Sequence, residues 1–229
     1  MNGLWSYQQG VLWVLDLTSP ERSESPLPKR VEPRIPVSFE EMHSKDALGS
    51  AADLGFSDLE QLKRRFSPQR RCFVAKFEGE IAAYGWVSIN AECVGEMERE
   101  VQLQPGEAYV WDCFTWPDYR RQRLYSSLLS YINTKLADEG YRRIWIGSNL
   151  ENRPSLKGFA NAGYRPVVHI TYLRLGGLSF LWVNRQEDAP QHLATDARDA
   201  FSLDTERKMG PMVFGRTNPA NLQTCLELG

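Results

Sequence analysis

Residues 107–164 carry a pattern that few folds accommodate. Ala108-Tyr109-Val110-Trp111-Asp112-Cys113-Phe114-Thr115-Trp116 is rich in aromatic and β-branched residues and stops at Pro117-Asp118, which predicts a buried strand. Beyond a turn bearing Arg120, Arg121 and Arg123, apolar residues fall at Leu124, Leu128, Leu129, Ile132 and Leu136, one face of a helix that Gly140 closes. Ile144-Trp145-Ile146 gives a second strand, and a strand joined to its parallel neighbour through a helix is the right-handed βαβ crossover. Asn152 then stands where it can cap a second helix, with Pro154 in the first turn, Leu156, Phe159 and Ala160 on the buried face, and Gly163 at the end.

The turn between the first strand and its helix carries the chemistry. The first amides of a helix have no internal partner and sit at the positive end of its dipole, so a turn placed there can hold a phosphate or pyrophosphate. Arg120, Arg121 and Arg123 add formal positive charge.

The run from Pro117 to Leu129, with Arg120-Arg121-Gln122-Arg123-Leu124-Tyr125 at its centre, resembles the acyl-coenzyme A binding signature R/Q-x-x-G-x-G/A of the GNAT acyltransferase superfamily. Asn152-x-x-Ser155, Phe159 and Gly163-Tyr164 resemble the same family's next block, and the two together cover roughly residues 107–175. The resemblance implies an α/β (α+β) fold with a central mixed, mostly antiparallel twisted sheet flanked by helices. It also implies acetyl-coenzyme A or another acyl-coenzyme A as cosubstrate, with no metal. By the same resemblance Arg120, Arg121, Gln122, Arg123, Leu124 and Tyr125 hold the pyrophosphate, while Cys113, Thr115, Asn152 and Ser155 lie along the pantetheine arm.

Three positions depart from the family's pattern. Arg123 stands where the family has its first glycine, and Tyr125 where it has glycine or alanine. A non-glycine residue forced to positive φ costs on the order of 1 kcal/mol. Either the loop keeps its amides free, with Arg123 pointing outward or onto phosphate oxygens, or coenzyme A binding is weakened or lost. Phe159 occupies the place where the family often has a general-acid tyrosine. Water, Tyr164, Tyr125 or another residue would then protonate the leaving thiolate.

At 229 residues the chain is long enough for one full core, and 27 basic against 29 acidic residues give no support for a nucleic-acid binder. No apolar run approaches the ~20 residues that cross a bilayer, and the first residues lack a signal pattern. Cys72, Cys93, Cys113 and Cys225 show neither metal-ligand nor disulfide-scaffold spacing, so a reducing cytoplasm is the expected location. His43, His169 and His192 are scattered.

Along the rest of the chain, Val11 to Leu15 predicts a strand and Thr18 to Pro28 a polar loop. Val31 to Val37 reads as an edge strand because of Pro33 and Pro36, and Ser38-Phe39-Glu40-Glu41 as a helix start with a capping box. Ser57 to Arg65 predicts a helix with cations in its last turn. Cys72 to Phe77 and Ile81 to Val87 form a hairpin, as do Val167 to Leu175 and Leu178 to Val183. Glu92, Glu96, Glu98 and Glu100 make an acidic stretch that is either a rim attractive to an amine or a solvated face. The domain is expected over residues 1–185, and 186–229 as an irregular or partly disordered tail.

Acyl transfer from a thioester to an amine requires a route for the amine's proton. Asp112 interrupts an apolar strand, where burial would raise its pKa and make it a better base, or where it pairs with backbone or an arginine. Glu107, at the start of that strand, is the second candidate base. Cys113 as a nucleophile is a weaker reading than a buried structural thiol. The sequence thus predicts transfer of an acetyl or other acyl group to a primary amine of a small molecule or peptide, with neither nucleic acid nor membrane as partner and a homodimer as one option. The alternative is a non-catalytic GNAT-like module that binds acyl-coenzyme A or another partner.

Overall fold

A computed structural model describes residues 5–18, 29–97, 99–201, 207–209 and 212–216. The strands are β1 (Trp5–Asp16), β2 (Ser38–Met42), β3 (Arg70–Phe77), β4 (Glu80–Ser88), β5 (Ala91–Val94), β6 (Arg99–Gln102), β7 (Glu107–Thr115), β8 (Arg143–Asn149), β9 (Arg165–Leu175), β10 (Leu178–Arg185), β11 (Arg207–Met209) and β12 (Met212–Arg216). The helices are α1 (Ser44–Ala47), α2 (Leu59–Arg65), α3 (Leu124–Asp138), α4 (Arg153–Asn161) and α5 (Gln191–Ala200).

Among the described residues ten strands form one sheet in the order β11-β12-β10-β9-β1-β8-β7-β4-β3-β2, with β5 and β6 as a separate pair. Among the described residues β7 and β8 are the parallel neighbours, joined through α3 as the crossover pattern predicts. Side chains alternate between the faces of a strand, and the core divides accordingly. Ala108, Val110, Ile144 and Ile146 meet α3 and α4 through Leu128, Leu129, Ile132 and Phe159, whereas Tyr109 and Trp145 face α5 through Leu193, Ala194 and Ala197. A third cluster seats α1 and α2 on β3 and β4, with Leu54 and Leu62 against Cys72, Val74 and Trp86.

The structure corrects several expectations. Ser38–Met42 is a strand paired with β3, not a helix start. Phe39 stacks on Tyr131 of α3, and Glu40 and Glu41 reach Lys76 and Arg71 across the pair, contacts that outweigh the local capping-box signal. Residues 31–37 are irregular and run along α3. In the region expected to be an irregular tail, α5 buries Leu193, Ala194, Ala197 and Ala200, and β12 pairs with β10. The rest of that expectation lies outside the described residues. Glu92 is no rim charge: it is 2% exposed and bidentate to Arg70. Cys93 is disulfide-bonded, a departure from the cysteine reading behind the cytoplasmic expectation. Among the described residues no helix is long and apolar enough to cross a membrane.

Candidate active site

The site begins where β7 and β8 part. Their pairing runs from Glu107 opposite Arg143 to Val110 opposite Ile146, and both strands continue beyond it. On the other side of β7 the register with β4 shifts, so that Asp112 and Cys113 together oppose Gly85. This is a β-bulge, and Asp112 accommodates it at φ +38°. Gly85 permits the close approach, because a Cβ there would lie 2.8 Å from Cys113 Sγ. The bulge sends the two side chains to different cavities: Asp112 lines one of about 650 Å³ and Cys113 one of about 1240 Å³.

The larger cavity lies at the N-terminus of α3. The backbone amides of residues 121–126 donate to no partner among the described residues, and Arg123, the N-cap, supplies no side-chain cap. Arg121 (φ +65°) and Arg123 (φ +62°) both adopt the left-handed conformation. The loop therefore keeps a glycine-like path without glycine, and Arg123 itself is exposed. Arg120, Arg121, Arg123 and Lys157 line this cavity, as do Leu124, Tyr125, Thr115, Asn152 and Ser155. Gln122 is not among the lining residues, and its carbonyl is bonded elsewhere. Arg120 Nε donates to Thr115 O at 3.1 Å. Asn152 is also the N-cap of α4, its side chain accepting from Ser155 N–H.

Tyr125 fits because α4 carries Gly158 beside it. A Cβ at Gly158 would lie 2.5 Å from Tyr125 Cδ1. Tyr125 lies beside Cys113 and Ser155 in the cavity lining, and burial holds its hydroxyl well above the usual tyrosine range. Burial likewise pushes the Cys113 thiol up, so it stays protonated at neutral pH. Tyr164 faces inward, donating to Asn133 Oδ1 at 2.6 Å, and Phe159 is 1% exposed.

The smaller cavity is walled by Phe56, Tyr84, Tyr109, Trp111 and Phe201, with Gln8, Gln61, Ser148 and Asn149 as polar groups. Asp112 is not buried as the sequence suggests: its side chain is 37% exposed and Oδ2 meets Arg65 Nη2 at 2.5 Å. Arg65, itself 8% exposed, lies over Phe56, Trp86 and Trp111. By sequence it is one of the cations expected in the last turn of α2, where they suit the helix dipole. The signal was its spacing of three from buried Leu62, which puts both on one helix face.

Glu107 does not join this group. It is 4% exposed, bonded to Arg143 and Trp145 Nε1 at 3.1 Å each, and lines neither cavity. Of the two candidate bases, the structure brings Asp112 alone to the place where the strands part.

The description "Acetyltransferase (GNAT) family" belongs to the family model that matches residues 37–164. A GNAT-family acetyltransferase structure from Novosphingobium aromaticivorans aligns at TM-score 0.50 and 15% identity, covering 79% of this chain and 66% of its own. An aminoglycoside acetyltransferase from an uncultured soil metagenomic sample, in complex with sisomicin, aligns at TM-score 0.45 and 16% identity over 56% of this chain and 87% of its own. The ribosomal-protein-S18-alanine N-acetyltransferase of Escherichia coli aligns at TM-score 0.43 and 18% identity over 57% of this chain and 78% of its own. Comparison with curated proteins by sequence finds no match.

Proposed function

Because the chain belongs to the GNAT acetyltransferase family, we propose that it moves an acetyl or other acyl group from acyl-coenzyme A to a primary amine by direct attack. The observation that carries this reading is the set of unbonded amides at residues 121–126, opening on a cavity lined by Arg120, Arg121, Arg123 and Lys157. Free N–H groups, a helix dipole and guanidinium groups together suit a diphosphate. Cys113, Thr115, Asn152 and Ser155 then flank the pantetheine arm, and Asp112 faces the cavity that would admit the acceptor.

In the reaction the amine nitrogen forms a bond to the thioester carbonyl carbon, and the carbon–sulfur bond breaks. Asp112, directly or through water, takes the proton released by the amine, and the thiolate takes one in return. Tyr125, protonated and beside Cys113, is the donor assigned to that step, whereas the Tyr164 hydroxyl already donates to Asn133. The acceptor is a small-molecule or peptide amine.

Calorimetry with coenzyme A and acetyl-coenzyme A, followed by thiol release with an amine panel, tests the reading. Binding that weakens with added salt and with Arg120→Ala is expected, together with turnover on at least one amine. Phe159, with no hydroxyl, and the Arg65 contact on Asp112 favour a second reading, a module that binds acyl-coenzyme A without turning it over. Binding without thiol release on any amine would select it.

A further inference from the structure

Residues 29–35 precede the segment matched by the family model, yet they form one wall of the larger cavity. Ser130 of α3, 3% exposed, fixes the start of this strap: its Oγ donates to Lys29 O at 2.8 Å and accepts from Val31 N–H at 3.2 Å. Arg34 fixes the other end to the phosphate loop itself. Its N–H donates to Gln122 O at 2.9 Å and its Nη1 to Arg121 O at 3.3 Å.

A trans peptide unit points its carbonyl and its N–H in opposite directions. Holding Arg121 O and Gln122 O against the strap therefore turns the N–H groups of Gln122 and Arg123 away from it, and neither meets an acceptor among the described residues. The two pinned carbonyls belong to a stretch bounded by left-handed Arg121 and Arg123, a conformation that glycine reaches without strain and arginine does not.

We propose that the Arg34 side chain is a positioning group of the phosphate site: beside the backbone bond to Gln122 O, its Nη1 contact with Arg121 O holds the 121–123 backbone in the form that presents its amides, a form a glycine-bearing loop reaches unaided. The strap is accordingly part of the binding site, with Lys29 and Arg34 adding cations to a wall that also carries the Arg30–Glu32 ion pair. The inference rests on the acyl-coenzyme A reading above.

The test is a double-mutant cycle on coenzyme A affinity, using wild type, Arg34→Ala, Arg123→Gly and the double variant. Arg34 is exposed, so Arg34→Ala is expected to fold, and a melting curve checks this. Arg34→Ala should weaken binding by about tenfold and raise KM for acetyl-coenzyme A by a similar factor with kcat unchanged. In the Arg123→Gly background, where one of the two left-handed arginines is relieved, the same change should weaken binding less than about threefold. Equal losses in both backgrounds would assign Arg34 to simple charge attraction and overturn the proposal, as would an Arg34→Ala protein that binds like wild type. Wild-type protein that fails to bind coenzyme A overturns the underlying reading instead.

Discussion

Arg65 and Asp112 join the end of α2 to the bulge of β7, Nη2 to Oδ2 at 2.5 Å, with the guanidinium 4.4 Å from the Trp111 ring centroid and 4.9 Å from that of Trp86. The contact serves two purposes at once, closing an aromatic box and fixing the carboxylate that faces the smaller cavity. Asp112→Asn removes the charge and leaves the shape. It should lower kcat/KM by roughly a hundredfold in a thiol-release assay and lower stability by about 1–3 kcal/mol in denaturant melts. Full turnover in this variant would remove Asp112 from the role of base.

Gly158 lies inside α4, where exchanging glycine for alanine ordinarily adds up to about 1 kcal/mol of helix stability. Here the sign should reverse. The new methyl would meet the Tyr125 ring at 2.5 Å, and a packed ring cannot swing aside as a flexible tip can. Gly158→Ala is expected to cost roughly 1–3 kcal/mol and to weaken coenzyme A binding. In a Tyr125→Ala background, where the ring is gone, Gly158→Ala should cost little or nothing, measured by melts of the four proteins.

Arg71 is held between Glu41 and Glu139, with ion-pair contacts of 2.7 and 2.6 Å, so it ties β2 to α3 through β3. The Arg71 hydrogen bond, acting against burial, keeps the Glu41 carboxyl below its ordinary 4.5. The unfolded chain therefore takes up this proton more readily than the folded one. The stabilisation is complete above 4.5 and is lost as pH falls through the lower folded value. Melts of wild type and Glu41→Gln should differ at neutral pH and converge on acidification, whereas a constant gap would remove Glu41 as the cause.

Glu92 and Arg70 form a largely buried pair, with side chains 1% and 12% exposed, and Glu92 also accepts from Ser88. Glu92→Ala should cost about 3–5 kcal/mol by leaving Arg70 without its partner. A change within 0.5 kcal/mol, the ordinary range for a surface charge, would restore the solvated-face reading of this acidic stretch.

The central unit was legible because its signals are local: the stops at Pro117 and Gly140, the helical spacing of Leu124 to Leu136, and the free amides that any helix start provides. Ser38-Phe39-Glu40-Glu41 misled because the capping-box motif is local and the pairing with β3 is not. In α5 the buried stripe is mostly alanine, which a hydrophobic pattern registers weakly. The site divides in the same way. The loop proposed to hold phosphate is expected from its own residues, whereas Arg65, Arg34 and Gly158 meet partners far along the chain.

Of these strands β1 is synthesised first, yet it lies between β8 and β9, which come from the second half of the chain. Leu12, Val14 and Leu15, nearly solvent-free in the finished protein, must wait on the ribosome until both neighbours exist. This part of the sheet is thus assembled from the first of these strands and two from the second half of the chain. Premature termination after α3 would yield a fragment whose opening strand has no edge to join.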